Sequence, residues 1–341
     1  MSAAAAPARV PAAALLGGLA VFSAVALLLG PLWGSESIEK WTAWTELLQL
    51  DRADWSVHTR ILNLRLPRVA LAWLAGGTLA VCGAVLQTLL RNGLATPYTL
   101  GVSSAASFGA FLSIAWPGLL PLGAGLSLRL GALVFALAEA GLVLAVARRA
   151  RRADGLILAG VVFNFLFGAA TMLVRYLADP YELASMDRWL MGSLQAVTAG
   201  APLALLPWLG VGLLLIAWRT SALDQLAFDE ELAAARGVPV RAVRRDLLLA
   251  TGLLTAAVVA QCGPIGFLGL LVPHALRPFA GLRHGILLPA CFLAGGGFLV
   301  FADLAARSLE LLGRHSEVPV GILTALLGAP FFLLLLLRSR F

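Results

Sequence analysis

Lysine is almost missing. The 341 residues contain one, Lys40, and it follows Glu39. A phosphate-binding loop of the form G-x-x-x-x-G-K-[ST] is therefore excluded, and the chain does not bind ATP that way. Histidine is scarce as well. His58, His274, His284 and His315 form neither H-E-x-x-H nor another close pair, which argues against an intramembrane zinc protease. No G-x-S-x-G nucleophile elbow is present. Cys82, Cys262 and Cys291 each lie in an apolar stretch without a C-x-x-C partner. They read as small core residues, not as a metal site or disulfide framework. Charged residues are 13% of the chain, against about a quarter in soluble domains.

Apolar residues fill the space. They make up 60% of the chain, and the mean hydropathy is +0.91. They come in runs long enough to cross a bilayer, which a soluble core does not require. Ten spans are expected, near 11–33, 69–90, 98–116, 127–147, 155–177, 201–218, 247–262, 266–281, 286–306 and 320–337. The first run is longer than the h-region of a signal peptide, about 7–15 residues, so it reads as a retained span. An even number of spans puts both termini on one side. With that side cytoplasmic, more than half of the 25 basic residues fall inside or at the inner boundary. They include Arg148, Arg149, Arg151 and Arg152, and Arg241, Arg244 and Arg245. This is the positive-inside pattern. It accounts for the basic character without nucleic-acid binding.

Two outer stretches carry indoles, which favour the headgroup level. Segment 34–67 has Trp41, Trp44 and Trp55 among acids, and 178–200 centres on Trp189. Both are expected to be interfacial or surface segments. The cytoplasmic stretch 219–246 is the most patterned part of the chain. Asp229 suits an N-cap, with Glu230 and Glu231 in the positive first turn that follows. Arg236 suits the last turn and Gly237 the C′ position. Pro239 then suits the start of a second helix. Two short helices joined by a Gly-Val-Pro turn are expected on the inner surface.

Three ordered stretches carry a family resemblance. The first holds Arg65-Leu66-Pro67-Arg68, Gly76 to Gln87, Arg91-Asn92-Gly93-Leu94-Ala95 and Leu100-Gly101-Val102-Ser103. The second runs from Gly263-Pro264-Ile265-Gly266-Phe267-Leu268-Gly269-Leu270 to Pro273-His274, Arg277 and Gly281. The third holds Ala302-Asp303, Arg307, Glu317-Val318-Pro319-Val320-Gly321, Thr324 and Gly328-Ala329-Pro330. In order and spacing this resembles the FecCD-type permease subunits of type II ABC importers, over nearly the whole chain. The chain departs from the family pattern at Gly93, at Ala105 and at Arg283-His284-Gly285. These departures are expected on loops and one helix surface.

The resemblance implies an all-α, polytopic permease fold, one transmembrane domain over 1–341. It implies an importer subunit that moves an iron chelate (siderophore or haem) or cobalamin from periplasm to cytoplasm across the bacterial inner membrane. It implies a second permease copy, two ATPase subunits that use ATP and Mg, a periplasmic substrate-binding protein, and no cofactor on this chain. Segment 219–246 would couple to the ATPase, through Leu223, Asp229, Glu230, Ala234, Arg236, Gly237 and Val238. Arg65, Arg68 and Arg307 would dock the binding protein. Lipid-phosphate anchoring is the alternative for the first two, and an internal pair with Glu310 or Glu317 for Arg307. Asn164 and Arg175, on span five, would line the path. Outer-interface snorkelling is the alternative for Arg175. Asp303 within a span is expected to have a structural hydrogen-bonding role. Glu139 has no match in the family. Gly76-Gly77, Gly83, Gly295-Gly296-Gly297 and Gly321 are expected at close helix contacts. The competing class is an ion-coupled secondary transporter, which needs intramembrane carboxylates at broken helices. Glu139 with Asp303 would be a thin set for that.

Overall fold

The computed structural model describes residues 11–34, 36, 38–48, 56–119, 122–149, 153–194, 200–281, 283–309 and 317–338. Among these residues the regular structure is entirely helical. Ten helices coincide with the ten expected spans. They are α1 (Ala12–Leu29), α3 (Val57–Leu89), α4 (Val102–Ala115), α5 (Ala124–Arg149), α6 (Ala153–Leu177), α8 (Gly200–Phe228), α10 (Val240–Cys262), α11 (Leu268–Ala280), α12 (His284–Ser308) and α13 (Val320–Arg338). Three short helices lie between them: α2 (Lys40–Leu48), α7 (Pro180–Leu190) and α9 (Glu230–Ala235). Of the described helices, α1, α3, α5, α6, α8 and α12 are long and apolar enough by themselves to cross a membrane. Helix α11, with 13 residues, reaches about 20 Å at 1.5 Å per residue.

Helix α3 is the central post. It packs along α12 and also meets α8, α10 and α11, while α4 and α5 form a second pair that leans on α10. Small residues let the backbones close in. A Cβ at Gly76 would strike the Gly295 carbonyl, and one at Gly83 would strike the Gly269 backbone. The three cysteines are free and buried in this packing.

Two expectations change. Segment 34–67 is not all surface loop, because α3 begins at Val57, twelve residues before the expected span. Ser56 caps it through the Thr59 amide, and the helix runs through Pro67 into the span. Trp41, 80% exposed on α2, keeps the surface character; Trp55 lies outside the described residues. The second change concerns 219–246. Helix α8 continues to Phe228, and the second of the two expected short helices is the first part of α10, which runs on into the span. Only α9 is a separate short helix. The reason is physical: Pro239 suits a helix start, and nothing between Val240 and Cys262 stops one.

Candidate functional site: an outer clamp, a central cavity and an inner coupling surface

At the outer end, the expected exposed guanidinium pair is not exposed. Arg65 is 8% exposed and Arg307 4%; Arg68 has a side chain 13% exposed. Arg68 donates from Nε and Nη2 to Asp303, at 3.0 and 2.8 Å, and from Nη1 to Glu317 at 2.7 Å. Arg307 pairs with Asp303 one turn away, at 3.0 Å; Glu310 lies outside the described residues. Arg307 also donates to the carbonyls of Gly30 and Trp33, and Arg65 to those of Pro31 and Glu36. Cations thus meet the carbonyl groups just past the negative end of α1. Arg68 and Arg307 turn inward because Asp303, 1% exposed, must be paired to exist inside the bilayer region. Asp303 has the structural hydrogen-bonding role expected of it.

A half-open cavity of about 430 Å³ lies beside the α10–α11 break. Its walls come from α3 (Leu79), the 3-10 turn Pro97–Leu100, the start of α4 (Ser103, Ser104), Asn164 of α6, and the break between α10 and α11 (Pro264 to Phe267). The break is irregular backbone between two span helices. Phe267 has φ +68°, a left-handed value unusual for a residue with a side chain. Such backbone is tolerated at membrane depth where protein buries it or it lines a cavity. Here Tyr98 serves it: the hydroxyl donates to the Ile265 carbonyl at 2.8 Å and accepts from the Ile265 amide at 3.0 Å. Gln87 donates to the Gly269 carbonyl at 2.9 Å. Asn164 accepts from Ser104 and donates to the Tyr98 carbonyl at 3.2 Å. Beside it, Gly160 lets α6 touch the backbone of Thr99 and Leu100. Asn164 therefore does line the cavity, tied to the 3-10 turn. The lining offers hydroxyls, amides and apolar groups, with no charged side chain among the described residues.

Arg175 is elsewhere. It sits in the last turn of α6, where Nη1 meets Asp187 of α7 at 2.6 Å. Asp179 caps α7 with a reciprocal Glu182 contact. The Arg175 charge is balanced by an acid. Glu139 lies behind the Pro97–Leu100 turn. It is 0% exposed, and neither carboxyl oxygen has a hydrogen-bond partner.

At the inner end, Asp229 caps α9 by accepting from the Leu232 amide at 2.9 Å. Gly237, at φ +85°, turns the chain toward Pro239 and α10. Ala234, Arg236 and Gly237 are exposed, Val238 is half-buried, and Leu223 is fully buried beneath them. Arg236 is the C-cap residue rather than part of the last turn. Glu230 pairs with Arg244 at 3.0 Å, and Asp246 bridges Arg219 and Arg245 at 2.6 and 2.7 Å. Ion pairs thus tie α9 to α10 and α8 to α10. The seven expected residues share one surface and the core just under it. The cross-ties, and the Tyr98 and Asn164 contacts, were not legible in sequence: their partners stand tens of residues apart without a motif.

Comparison with known proteins agrees with this architecture. The FecCD transport family matches residues 9–338. The hemin transport system permease protein HmuU of Yersinia pestis is 38% identical over 97% of this chain and 98% of its own length. The vitamin B12 import system permease protein BtuC of Klebsiella pneumoniae is 38% identical over 82% of this chain and 83% of its own. A solved structure described as an inward-facing conformation of a metal-chelate type ABC transporter superposes with a TM-score of 0.82, at 30% identity, over 96% of this chain and all of that one. The chain belongs to the FecCD transport family.

Proposed function

We propose that this chain is the membrane-spanning permease subunit of an ABC importer, carrying an iron chelate or a corrinoid inward. Two relatives named for hemin and vitamin B12 support that cargo class. The observation that carries the reading here is the neutral cavity at the α10–α11 break. A lining of hydroxyls, amides and apolar side chains suits a large cargo whose metal charge is already met by its chelator. A bare ion would need charged or closely gathered oxygen ligands.

In this reading two separate ATPase subunits, which use ATP and Mg, press on the α8–α9–α10 surface. Ala234, Arg236, Gly237 and Val238 form the contact, and the capped, ion-paired frame of Asp229, Glu230 and Leu223 keeps it rigid enough to pass on a rigid-body motion. A periplasmic binding protein docks on the outer face, with Arg65, Arg68 and Arg307 as the frame beneath its platform. A second copy of the chain completes the path along α6, whose apolar side chains Phe165, Met172 and Tyr176 are 77%, 73% and 85% exposed in the single chain. Both termini are cytoplasmic, in the bacterial inner membrane. Ion coupling is disfavoured: Asp303 is held by two arginines, and Glu139 does not line the central cavity.

The test is uptake of haemin, a ferric siderophore and cyanocobalamin into proteoliposomes that hold the complex with its ATPase and binding protein. ATP-dependent uptake of at least one is expected. Uptake driven by an ion gradient without ATP would reject the importer reading.

A further inference from the structure

We infer that Asp224, His284 and Thr88 form a pin that fastens the inner coupling surface to the central α3–α12 pair. Asp224 lies in the last turn or so of α8 and is part of 219–246. Its Oδ1 accepts from the His284 amide at 2.7 Å and pairs with His284 Nδ1 at 2.6 Å. His284 opens α12, and its Nε2 lies 2.8 Å from Thr88 Oγ1 in the last turn of α3. The imidazole is 1% exposed. Three helices that are far apart in sequence are thus joined through one buried ring. The sequence reading placed Arg283-His284-Gly285 on a loop or helix surface; instead the ring is inside.

The proton bookkeeping closes in two ways. With a neutral ring, Nδ1–H is given to Asp224 and the Thr88 hydroxyl donates to Nε2. With a charged ring, both nitrogens donate, and Thr88 gives its proton to the Ala84 carbonyl at 3.1 Å. In neither state is a buried member left unpaired, which would cost stability. A link that survives both states is a mechanical one.

What it fastens gives it a role. Helices α3 and α12 touch backbone to backbone at Gly76 and Gly295, and Gly77 lies on Phe292. At their outer ends Arg68 grips Asp303 at 2.8 Å. From Thr88 to Arg68 is twenty residues, roughly 30 Å of helix. The pair is a strut, pinned to the coupling surface inside and clamped outside. Ion pairs tie α8 and α9 to α10, but α10 has no comparable polar tie to the outer clamp among the described residues. Displacement of the coupling surface reaches the outer mouth through α3 and α12, by a chain of contacts whose two ends both bear on one element. His284, Asp224 and Thr88 are positioning residues: they touch neither cargo nor nucleotide.

The inference rests on the coupling role proposed for 219–246, so the experiment separates the two. The complete transporter is reconstituted with parental chain, Thr88→Val, Thr88→Ser and His284→Ala. Three quantities are read: ATPase co-purification, ATP hydrolysis, and uptake of whichever of haemin, ferric siderophore or cyanocobalamin the parent carries. Thr88→Val keeps the side-chain volume and removes the link to α3. It should still co-purify with the ATPase, while uptake per ATP hydrolysed falls at least about fivefold, the lower range of coupling between sites. Thr88→Ser restores the hydroxyl and should recover most of the ratio. His284→Ala should fall further. A residue of merely structural importance would lower thermal stability and leave the ratio intact at a temperature where the complex is folded. Parental uptake per ATP in Thr88→Val overturns the pin, as does failure of Thr88→Ser to recover. Loss of ATPase association from the parent itself would overturn the coupling reading first, and the pin with it.

Discussion

Asp303 and Glu139 are both acids buried in spans, and their surroundings give them opposite consequences. Asp303 meets Arg68 and Arg307 at 2.8 and 3.0 Å. Removing Arg68 leaves Asp303 with Arg307 alone and takes one contact from Glu317, so part of the cost of breaking a buried pair, about 3–5 kcal/mol, is expected. Arg68→Ala should therefore lower the unfolding midpoint. Arg68→Lys should recover only part, because the ammonium cannot reproduce the paired Nε and Nη2 donors. Thermal unfolding in detergent checks both, and an Arg68→Ala midpoint equal to the parent's would refute the clamp. Glu139 has no partner to lose. Glu139→Gln keeps the shape and removes the possibility of charge, so its midpoint should match or exceed the parent's. A fall as large as that of Arg68→Ala would mean the carboxyl is paired after all. Sequence alone marked both acids as unusual for a membrane. What separates them is the pairing: Asp303 has Arg307 one turn away on α12 and Arg68 arriving from α3, and Glu139 has neither.

Among the elements, α2 is held by a carboxylate. Glu46 accepts from the Thr59 hydroxyl at 2.6 Å and from the Ser56 amide at 2.9 Å, across the residues that join α2 to α3. These hydrogen bonds favour the ionised form and hold the Glu46 carboxyl below its ordinary value of 4.5. A depressed carboxylate contributes stability that is present in full above the unfolded value and fades as pH falls through the lower folded one. Helix α2 should therefore stay docked at neutral pH and loosen only below about pH 4.5. Hydrogen exchange of α2 amides against pH checks this, with Glu46→Gln expected to flatten the dependence. Protection that is flat through that range in the parent would show that apolar contacts alone hold the helix. The cap of α9 was readable in advance because capping is local: Asp229, its first turn and Gly237 are neighbours. The length of α3 was not, because residues 57–67 are too polar to look like a span; Thr59 there meets Ala43 and Glu46 of α2.

For the whole molecule, the arginine-rich segments and α9 are expected on the cytoplasmic face, and Trp41 of α2 on the other. A cysteine-free parent carrying Ala234→Cys should react with an impermeant maleimide only from the cytoplasmic side, and one carrying Trp41→Cys only from outside. The same sidedness for both positions would overturn the orientation. By itself the sequence determined class and family, because hydropathy and motif order are written along the chain. The tertiary structure alone decided which polar groups are free. Arg65, Arg68, Arg307 and Arg175 look like available cations in one dimension. In three dimensions Arg65, Arg68 and Arg307 meet carboxylates or carbonyls from elements distant in sequence, since a bilayer offers no water to satisfy them, and Arg175 meets Asp187 of the next helix. The same demand produced the Tyr98–Ile265 and Asp224–His284–Thr88 contacts. Polar satisfaction in a membrane is settled between helices, so it becomes visible only once the helices are packed.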